Sequence, residues 1–489
     1  MANEQYDILI NNAKLARPGQ QELQAADIGI RDGKFVAIAA GIAAESASQV
    51  VDAKGLIAFP GLVDAHMHTG IYAPLDEDAV TESRAAAMGG VTTSINYIRT
   101  GKYYLNTGGS YMDFFPRVLE LSEGNFHVDY AYHLAPMDAR HIGEIEPLIE
   151  EFGVTSFKIF MFYGGYGLHG RSDNQNDFLM IGEDDKYDMA HFEFIMRGIK
   201  RAMDRYSDAS DRISLSLHCE TAEIMAAYTK LVEREGKLSG LAAYSASRPP
   251  HSEGLAVCIA SYLAHETECA NINLLHLSGR KAMEAAIAMS TAFPQIRFRR
   301  EVTIGHLLLD IDAPCGNRAK VNPPIRPRED VEYLWGAVLD GKVDWIVSDH
   351  ACCRTEMKVD QRSPDDIFVA KSGFGGTEYL LSGVISEGRR RGLSYNRIAE
   401  LLSKNPATRF GVPGKGDIAP GFDADIVLVD PDETFVVAAE NSESAQGYTP
   451  FEGMELTGRV KRTWLRGNLI WDGSNVVGAP AGRYLRRFG

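Results

Sequence analysis

The two ends of the chain share an alternating pattern of apolar and polar residues, which is typical of half-buried β-strands. The first end carries the hairpin signal Asp32-Gly33 and the second carries Gly467-Asn468. Alternating segments lie at 6–10, 26–30, 35–39, 424–429, 435–438, 458–466 and 469–471. We therefore predict one small β-sandwich domain built from residues 1–56 and 411–489, with the remaining chain inserted between its halves. The arginine-rich tail at 483–489 is expected to reach a neighbouring subunit or to be solvated.

Residues 57–410 show a different pattern, in which apolar strand-like runs alternate with helical stretches. The predicted strands lie at 57–68, 92–97, 127–135, 155–161, 213–218, 272–277, 297–303 and 345–349. Eight strands alternating with helices predict the α/β class, as a (β/α)8 barrel of the TIM type. Two long loops, at 98–111 and 164–188, are expected to form lids or substrate walls, or to be mobile insertions in their distal parts.

Several polar side chains fall near the carboxyl ends of the predicted barrel strands. His66 and His68 share one face of a strand because side chains alternate between its two faces. His218, His276 and Asp349 each end another strand, and Lys158 interrupts an apolar one. Barrel enzymes place their catalytic residues at these ends. Each residue alone also fits a structural role, as a packed histidine, a helix cap or a surface-reaching lysine.

As a group, these residues indicate a metal site. Several imidazoles, a lysine and a carboxylate are costly to bury in one cavity unless a cation organises them. Imidazole and carboxylate are ligands typical of zinc, with iron or manganese as alternatives.

Composition and charge narrow the class of partner. The chain has 489 residues, 45% of them apolar, so a large folded core is expected. Its net charge of −16 argues against nucleic acid and against anionic membranes as partners. No signal peptide or bilayer-spanning run is visible, and the six cysteines are scattered, so a cytoplasmic protein with reduced thiols is expected.

An ordered set of motifs resembles the amidohydrolase superfamily, and within it the cyclic amidohydrolases: hydantoinase/dihydropyrimidinase, allantoinase and dihydroorotase. The resemblance covers nearly the whole chain. Its motifs are Gly61–His68, Gly90-Val91-Thr92-Thr93, Ser156-Phe157-Lys158 with Tyr163, His218-Cys219-Glu220, His276-Leu277-Ser278, Asn322-Pro323-Pro324-Ile325-Arg326, Ser348-Asp349-His350, Asn405-Pro406-Ala407 and a Gly-x-x-Ala-Asp-Ile-Val-Leu run at 421–428.

The resemblance implies two divalent metal ions, with zinc expected. His66, His68 and Asp349 would bind the more buried ion, and His218 and His276 the second. Lys158 would bridge both ions as a carbamate, the N6-carboxylysine. Burial of the amine helps this modification because it favours loss of the proton.

The resemblance also implies a reaction, the opening of a cyclic amide, imide or ureide by a metal-bridging hydroxide. Asp349 would carry the proton to the leaving nitrogen, and Tyr163 would donate to the oxyanion. Asn322, Ser372 and Gly373 would contact the substrate ring. Relatives of this kind are expected to be homodimers or homotetramers.

The chain departs from the family pattern at the substrate wall. Dihydroorotase resemblance predicts an arginine where Gly70 stands and an asparagine within 97–100, so dihydroorotase is disfavoured. Arg99, which lies in that second segment, is a candidate for binding a different anion. The segments 301–306 and 351–353 also lack family residues.

Three functional hypotheses follow, of which the first is a binuclear metal hydrolase with two candidate substrate classes. A hydantoin- or dihydropyrimidine-type hydrolase leads, and an allantoinase-like ureide hydrolase comes next. A non-catalytic scaffold, like the neuronal relatives of dihydropyrimidinase that lost the metal ligands, is disfavoured because all six ligand positions are filled here. A mononuclear deaminase is disfavoured by Lys158, since such an enzyme needs no bridging carbamate.

Overall fold

The computed structural model describes residues 5–170 and 174–489. In this part of the chain the strands are β1 (Tyr6–Leu15), β2 (Gln24–Arg31), β3 (Lys34–Ala39), β4 (Ala47–Asp52), β5 (Ile57–Pro60), β6 (Leu62–Met67), β7 (Val91–Ile98), β8 (Asp129–Leu134), β9 (Ser156–Phe160), β10 (Ser214–His218), β11 (Asn271–Leu274), β12 (Arg297–Thr303), β13 (Trp345–Val347), β14 (Ile426–Val436), β15 (Glu455–Leu465) and β16 (Asn468–Trp471).

Most helices lie between successive barrel strands. They are α1 (Leu75–Met88), α2 (Tyr111–Ser122), α3 (Ala139–Gly143), α4 (Ile145–Phe152), α5 (Gln175–Leu179), α6 (Met189–Arg205), α7 (Ala222–Glu235), α8 (Gly240–Ser247), α9 (Pro250–Glu266), α10 (Arg280–Ala292), α11 (Ile304–Leu308), α12 (Arg328–Leu339), α13 (Thr355–Lys358), α14 (Leu380–Arg390), α15 (Tyr395–Ala399) and α16 (Asn405–Arg409). None of the helices in the described residues has the length and apolarity needed to cross a bilayer.

The eight strands β6 to β13 form one parallel sheet in sequence order. The sheet closes where the chain after β13 meets β6, since the amide of His68 donates to the carbonyl of His350 at 2.7 Å. This is the predicted α/β barrel, and the fold class is confirmed. Apolar side chains of strands and helices form the main core, while a smaller cluster joins barrel strands to Phe410, whose ring centre lies 5.4 Å from that of Trp345.

Both chain ends build a second, mixed sheet in the order β16-β15-β14-β5-β1-β2-β3, with β4 beside β1. One predicted element is wrong here, because the single strand at 57–68 is two strands in different sheets. β5 pairs with β14 and β1, whereas β6 pairs with β7. The chain passes between the sheets at Gly61, where a Cβ would collide with the side chain of Thr92.

The C-terminal tail packs on its own barrel, which differs from both sequence-based expectations. The amide of Leu485 donates to the carbonyl of Tyr130 at 2.8 Å, beside β8. Arg487 is buried, and its Nη1 donates to the hydroxyl of Ser156 at 2.6 Å. The basic tail is therefore held by carbonyl and hydroxyl acceptors on the barrel.

Candidate metal centre and substrate pocket

Strand ends bring four of the six proposed ligands into close contact. The Nε2 atom of His66 lies 3.1 Å from Asp349 Oδ1 and 3.2 Å from the amine of Lys158. His68 Nε2 lies 3.4 Å from the same Asp349 oxygen. One ligand atom each from His66, His68 and Asp349 lies within 4.8 Å of the others, which is a spacing suited to a single metal ion.

The remaining two histidines lie beside this group. The ring centres of His218 and His276 are 4.3 Å apart, and His276 is 5.4 Å from His66. His276 and Asp349 follow β11 and β13 with positive φ values of 34° and 55°. Such backbone strain in residues other than glycine is concentrated at functional sites. All six predicted ligand positions therefore face one region at the carboxyl end of the barrel.

Three histidines are fixed by outer partners that sequence reasoning missed. His66 Nδ1 lies 2.7 Å from Glu301 Oε1, and His68 Nδ1 lies 2.8 Å from the hydroxyl of Tyr104. His218 Nε2 lies 2.7 Å from Glu220 Oε2. Such partners select the imidazole tautomer and orient the ring for a metal. The sequence signals for these partners were weak: Glu220 belongs to the His218-Cys219-Glu220 motif, and Glu301 begins the segment 301–306.

The protonation of these groups suits a divalent cation. Burial lowers the pKa of His66 well below its usual value and lowers that of Lys158 to about 7. Burial would raise the pKa of Asp349, but His66 and His68 hold it well below the ordinary range. Neutral imidazoles, an unprotonated amine and a carboxylate are the forms that coordinate metals. His276 Nδ1 is also buried without a hydrogen-bond partner in the described residues, so it is free to coordinate. These residues fit a divalent metal site.

A pocket opens directly over this group. It is lined by ligand candidates and by four predicted substrate contacts: Tyr163, Asn322, Ser372 and Gly373. The Asn322 amide is held on both sides, since Oδ1 accepts from the hydroxyl of Tyr244 at 2.5 Å and Nδ2 donates to the carbonyl of Leu168 at 2.9 Å. The Tyr163 hydroxyl is buried without a partner in the described residues, so its proton can be offered to a ligand.

Arg99 is the one predicted substrate contact that does not line this pocket. Its guanidinium lies behind the pocket wall, about 5 Å from the ring centres of Tyr104, Tyr163 and Phe178. Tyr104 and Tyr163 both line the pocket, so their rings separate Arg99 from the cavity.

The two long loops pack on each other beside Arg99. The amide of Lys102 donates to the carbonyl of Phe178 at 3.1 Å, which joins the segment after β7 to helix α5. The described part of the 164–188 segment therefore includes a helix and contacts the 98–111 loop.

Two buried lysines hold the segment that carries Ser372 and Gly373. Lys358 Nζ donates to the carbonyls of Gly373 at 2.6 Å and Lys320 at 2.9 Å. Lys320 Nζ in turn donates to the carbonyl of Ala370 at 2.7 Å. Sequence reasoning missed both lysines, because nothing in the local pattern separates a buried lysine from a surface one.

A parallel barrel with the His66, His68 and Asp349 cluster at its carboxyl end is an arrangement typical of metal-dependent barrel enzymes. The model of the amidohydrolase family matches residues 57–470, and the chain belongs to this family. The predicted membership of the amidohydrolase superfamily is thereby confirmed over residues 57–470.

Named relatives agree with this assignment. The chain is 32% identical over 486 residues to an allantoinase from Rubrobacter xylanophilus, covering 98% of each chain, and 30% identical over 476 residues to one from Salmonella choleraesuis, covering 96% and 95%. Among solved structures, it resembles a dihydropyrimidinase from Brevibacillus agri with a TM-score of 0.83 at 27% identity, covering 98% of both chains. It resembles an L-hydantoinase from Arthrobacter aurescens with a TM-score of 0.84 at 26% identity, covering 98% and 99%.

Proposed function

We propose that the protein is a binuclear metal-dependent hydrolase that opens the C–N amide bond of a cyclic amide, imide or ureide. The observation that carries the proposal is the buried contact of His66 Nε2 with Asp349 Oδ1 at 3.1 Å and with Lys158 Nζ at 3.2 Å, together with the 3.4 Å distance from His68 Nε2 to the same Asp349 oxygen. Full-length similarity to allantoinases, dihydropyrimidinases and hydantoinases supports the same reaction class.

In this proposal His66, His68 and Asp349 would hold one divalent ion, and His218 and His276 would hold the second. Lys158, as N6-carboxylysine, would help to hold both ions. Its depressed pKa supports the modification, because an amine with a pKa of about 7 is substantially unprotonated at neutral pH and can attack carbon dioxide. When bound, two such ions supply a water-derived nucleophile near neutral pH and polarise the scissile carbonyl. Zinc is the expected metal.

The chain's own residues then carry the proton and the developing charge. Asp349 is ionised because its pKa is lowered, so it is free to accept a proton from the attacking water and pass it to the leaving ring nitrogen. Tyr163 donates its hydroxyl hydrogen to the carbonyl oxygen as negative charge develops there. Asn322, Ser372 and Gly373, which line the same pocket, orient the ring, and Arg99 contributes positive charge behind Tyr163.

Two ring classes compete for the natural substrate. The similar solved structures favour hydantoins and dihydropyrimidines, whereas the relatives at 30–32% identity favour allantoin-like ureides. Ring opening should therefore be measured over hydantoin, dihydrouracil, allantoin and a cyclic imide, with metal content determined on the same sample. Turnover of at least one ring by protein carrying about two metal ions per chain supports the proposal. A metal-free chain without turnover would instead favour the scaffold hypothesis.

The subunit number remains a prediction. A homodimer or homotetramer is expected, and light scattering on the purified protein would decide between them.

A further inference from the structure

A second group of potential metal ligands lies outside the proposed catalytic centre. One ligand atom each from Asp78, Glu82 and Cys352 lies within 4.8 Å of the others. All three side chains are buried, with an exposed fraction of 0% for Asp78 and Cys352 and 1% for Glu82. None of them lines the substrate pocket or belongs to the six proposed catalytic ligands. The proposed reaction therefore does not explain this group.

Separate segments of the chain bring these side chains together. Asp78 and Glu82 lie one turn apart on helix α1, so they share one face of it. Cys352 follows strand β13, in the segment 351–353 that departs from the family pattern. Ser444, between β14 and β15, donates its hydroxyl to Glu82 Oε2 at 2.6 Å and lies 3.9 Å from Cys352 Sγ. A cation at this place would hold helix α1 against the end of the barrel sheet and against the connection between β14 and β15.

Asp78 has a carboxylate oxygen that the protein leaves without a partner. Its Oδ2 accepts from the backbone amide of Gly70 at 2.6 Å, whereas its Oδ1 is buried and has no hydrogen-bond donor in the described residues. A buried carboxylate oxygen in this condition is costly. Burial and the nearby charge of Glu82 raise the pKa of Asp78, so the carboxyl keeps a proton more readily unless a cation is bound.

Glu82 shows what Asp78 lacks. Its Oε2 accepts from His350 Nε2 at 2.7 Å, and its Oε1 accepts from the backbone amide of Ala445 at 3.1 Å. The Cys352 thiol can also donate to Glu82, and burial together with the two carboxyl groups raises the pKa of this thiol. Without a cation, the cluster is therefore held by protons on Asp78 and on Cys352.

We propose that Asp78, Glu82 and Cys352 form a structural site for one zinc-like divalent cation, separate from the binuclear centre. A thiolate beside carboxylates favours zinc over magnesium and calcium, which take oxygen ligands. Zinc lies about 2.3 Å from sulfur and about 2.0–2.2 Å from carboxylate oxygen, so ligand atoms spaced as these are can surround one ion. Binding would release the proton of Asp78 and the thiol proton of Cys352 to solvent, and the two negative charges left behind match the charge of the ion.

Cobalt(II) is the probe for this site, because a cysteine ligand gives cobalt an intense thiolate-to-metal charge-transfer band in the near ultraviolet. The proposed catalytic ligands contain no sulfur, so cobalt in the binuclear centre does not produce this band. Protein stripped with a chelator is titrated with cobalt, and the absorption and the metal content are measured. The variants are Cys352→Ser, Asp78→Asn and the matched control Cys353→Ser, since Cys353 is the adjacent residue and is also 0% exposed but lies outside the group.

We expect the band in wild type and in Cys353→Ser. Cys352→Ser should lack the band and hold one cobalt ion per chain fewer. Asp78→Asn should need at least about tenfold more cobalt to develop the band, since even the loss of an outer partner of a metal ligand has an effect of this size.

The absence of the band from wild type in excess cobalt would overturn the inference and leave Asp78 and Glu82 as a buried pair that shares a proton. A band that survived in Cys352→Ser would overturn it as well, because another cysteine would then be the ligand. If Cys352→Ser does not fold, Asp78→Asn decides, and an unchanged cobalt titration would refute the site. The ring-opening panel is a separate measurement, so failure of the proposed function would leave the charge-transfer band unaffected.

Discussion

Glu301 lies outside the proposed ligand set and contacts two of its members, His66 and His276. Its Oε1 accepts from His66 Nδ1 at 2.7 Å and from the backbone amide of His276 at 3.1 Å, while Oε2 accepts from Trp345 Nε1 at 2.8 Å. The carboxylate is 0% exposed, so water does not replace a lost contact. Each of its two oxygens therefore receives at least one N–H donor.

Glu301→Gln removes one acceptor with almost no change of shape. A glutamine has one oxygen and one NH2 group, so at least one of the N–H donors must face another donor. Loss of an orienting partner behind a metal-bound histidine typically lowers metal affinity or activity by about 10–100-fold. This range corresponds to about 1.4–2.8 kcal/mol of metal-binding free energy. The unsatisfied donor should also lower the free energy of unfolding, by about 1–3 kcal/mol.

The metal dissociation constant is measured by competitive titration with a chelator. The value of kcat/KM is measured on the best ring substrate, and the free energy of unfolding is measured by denaturant titration. Glu144→Gln is the control, because Glu144 accepts from Ser110 Oγ and from the Tyr111 amide at 2.8 Å, away from the metal site. Glu144→Gln should lose stability while its metal affinity stays equal to that of wild type. The reasoning is refuted if Glu301→Gln binds metal within about threefold of wild type, well short of the typical effect.

The remaining predictions concern two site residues and one buried lysine. Lys158→Ala should lose tight binding of two metal ions. Addition of a short carboxylate such as acetate should partly restore its activity. If metal analysis found two tightly bound ions without added carboxylate, the bridging role would be contradicted. Asp349→Asn should keep its circular-dichroism spectrum but lose turnover, and near-normal kcat would exclude the proton-transfer role. Burial lowers the pKa of Lys358 to about 7 from 10.5, so between these pH values the unfolded chain holds a proton that the folded chain has released. Raising the pH from 7 to 10 should therefore stabilise wild type more than Lys358→Met. The unfolding midpoint is measured against pH for both proteins. Equal slopes would show that this lysine does not titrate as described.

The sequence anticipated the barrel because its signals are local. Strand and helix periods in 57–410 depend on neighbouring residues, and seven of the predicted strands overlap barrel strands at similar positions. The exception was 57–68, where a continuous apolar run concealed the passage between two sheets at Gly61. Apolar pattern reports burial, and both β5 and β6 are buried, so the pattern alone could not separate them.

The arrangement of the substrate-contacting residues was less predictable, because it depends on contacts between segments that are distant in the chain. Tyr163, Asn322, Ser372 and Gly373 come from different segments, and the structure places all of them on one pocket wall. Arg99 was proposed as an anion contact from its place in the chain, but its burial behind Tyr104 and Tyr163 depends on how two loops pack together.

The sequence by itself determined the order of strands and helices, and it placed imidazole, amine and carboxylate groups at strand ends. Those features follow from backbone geometry over a few residues. Only the tertiary structure decided that Glu301 would meet His66, 235 residues away, that Tyr104 would meet His68, and that Arg99 would lie beside the rings of Tyr104 and Tyr163. Such contacts arise when the barrel closes and loops fold over its end, because that closure brings side chains from distant strands within hydrogen-bonding distance.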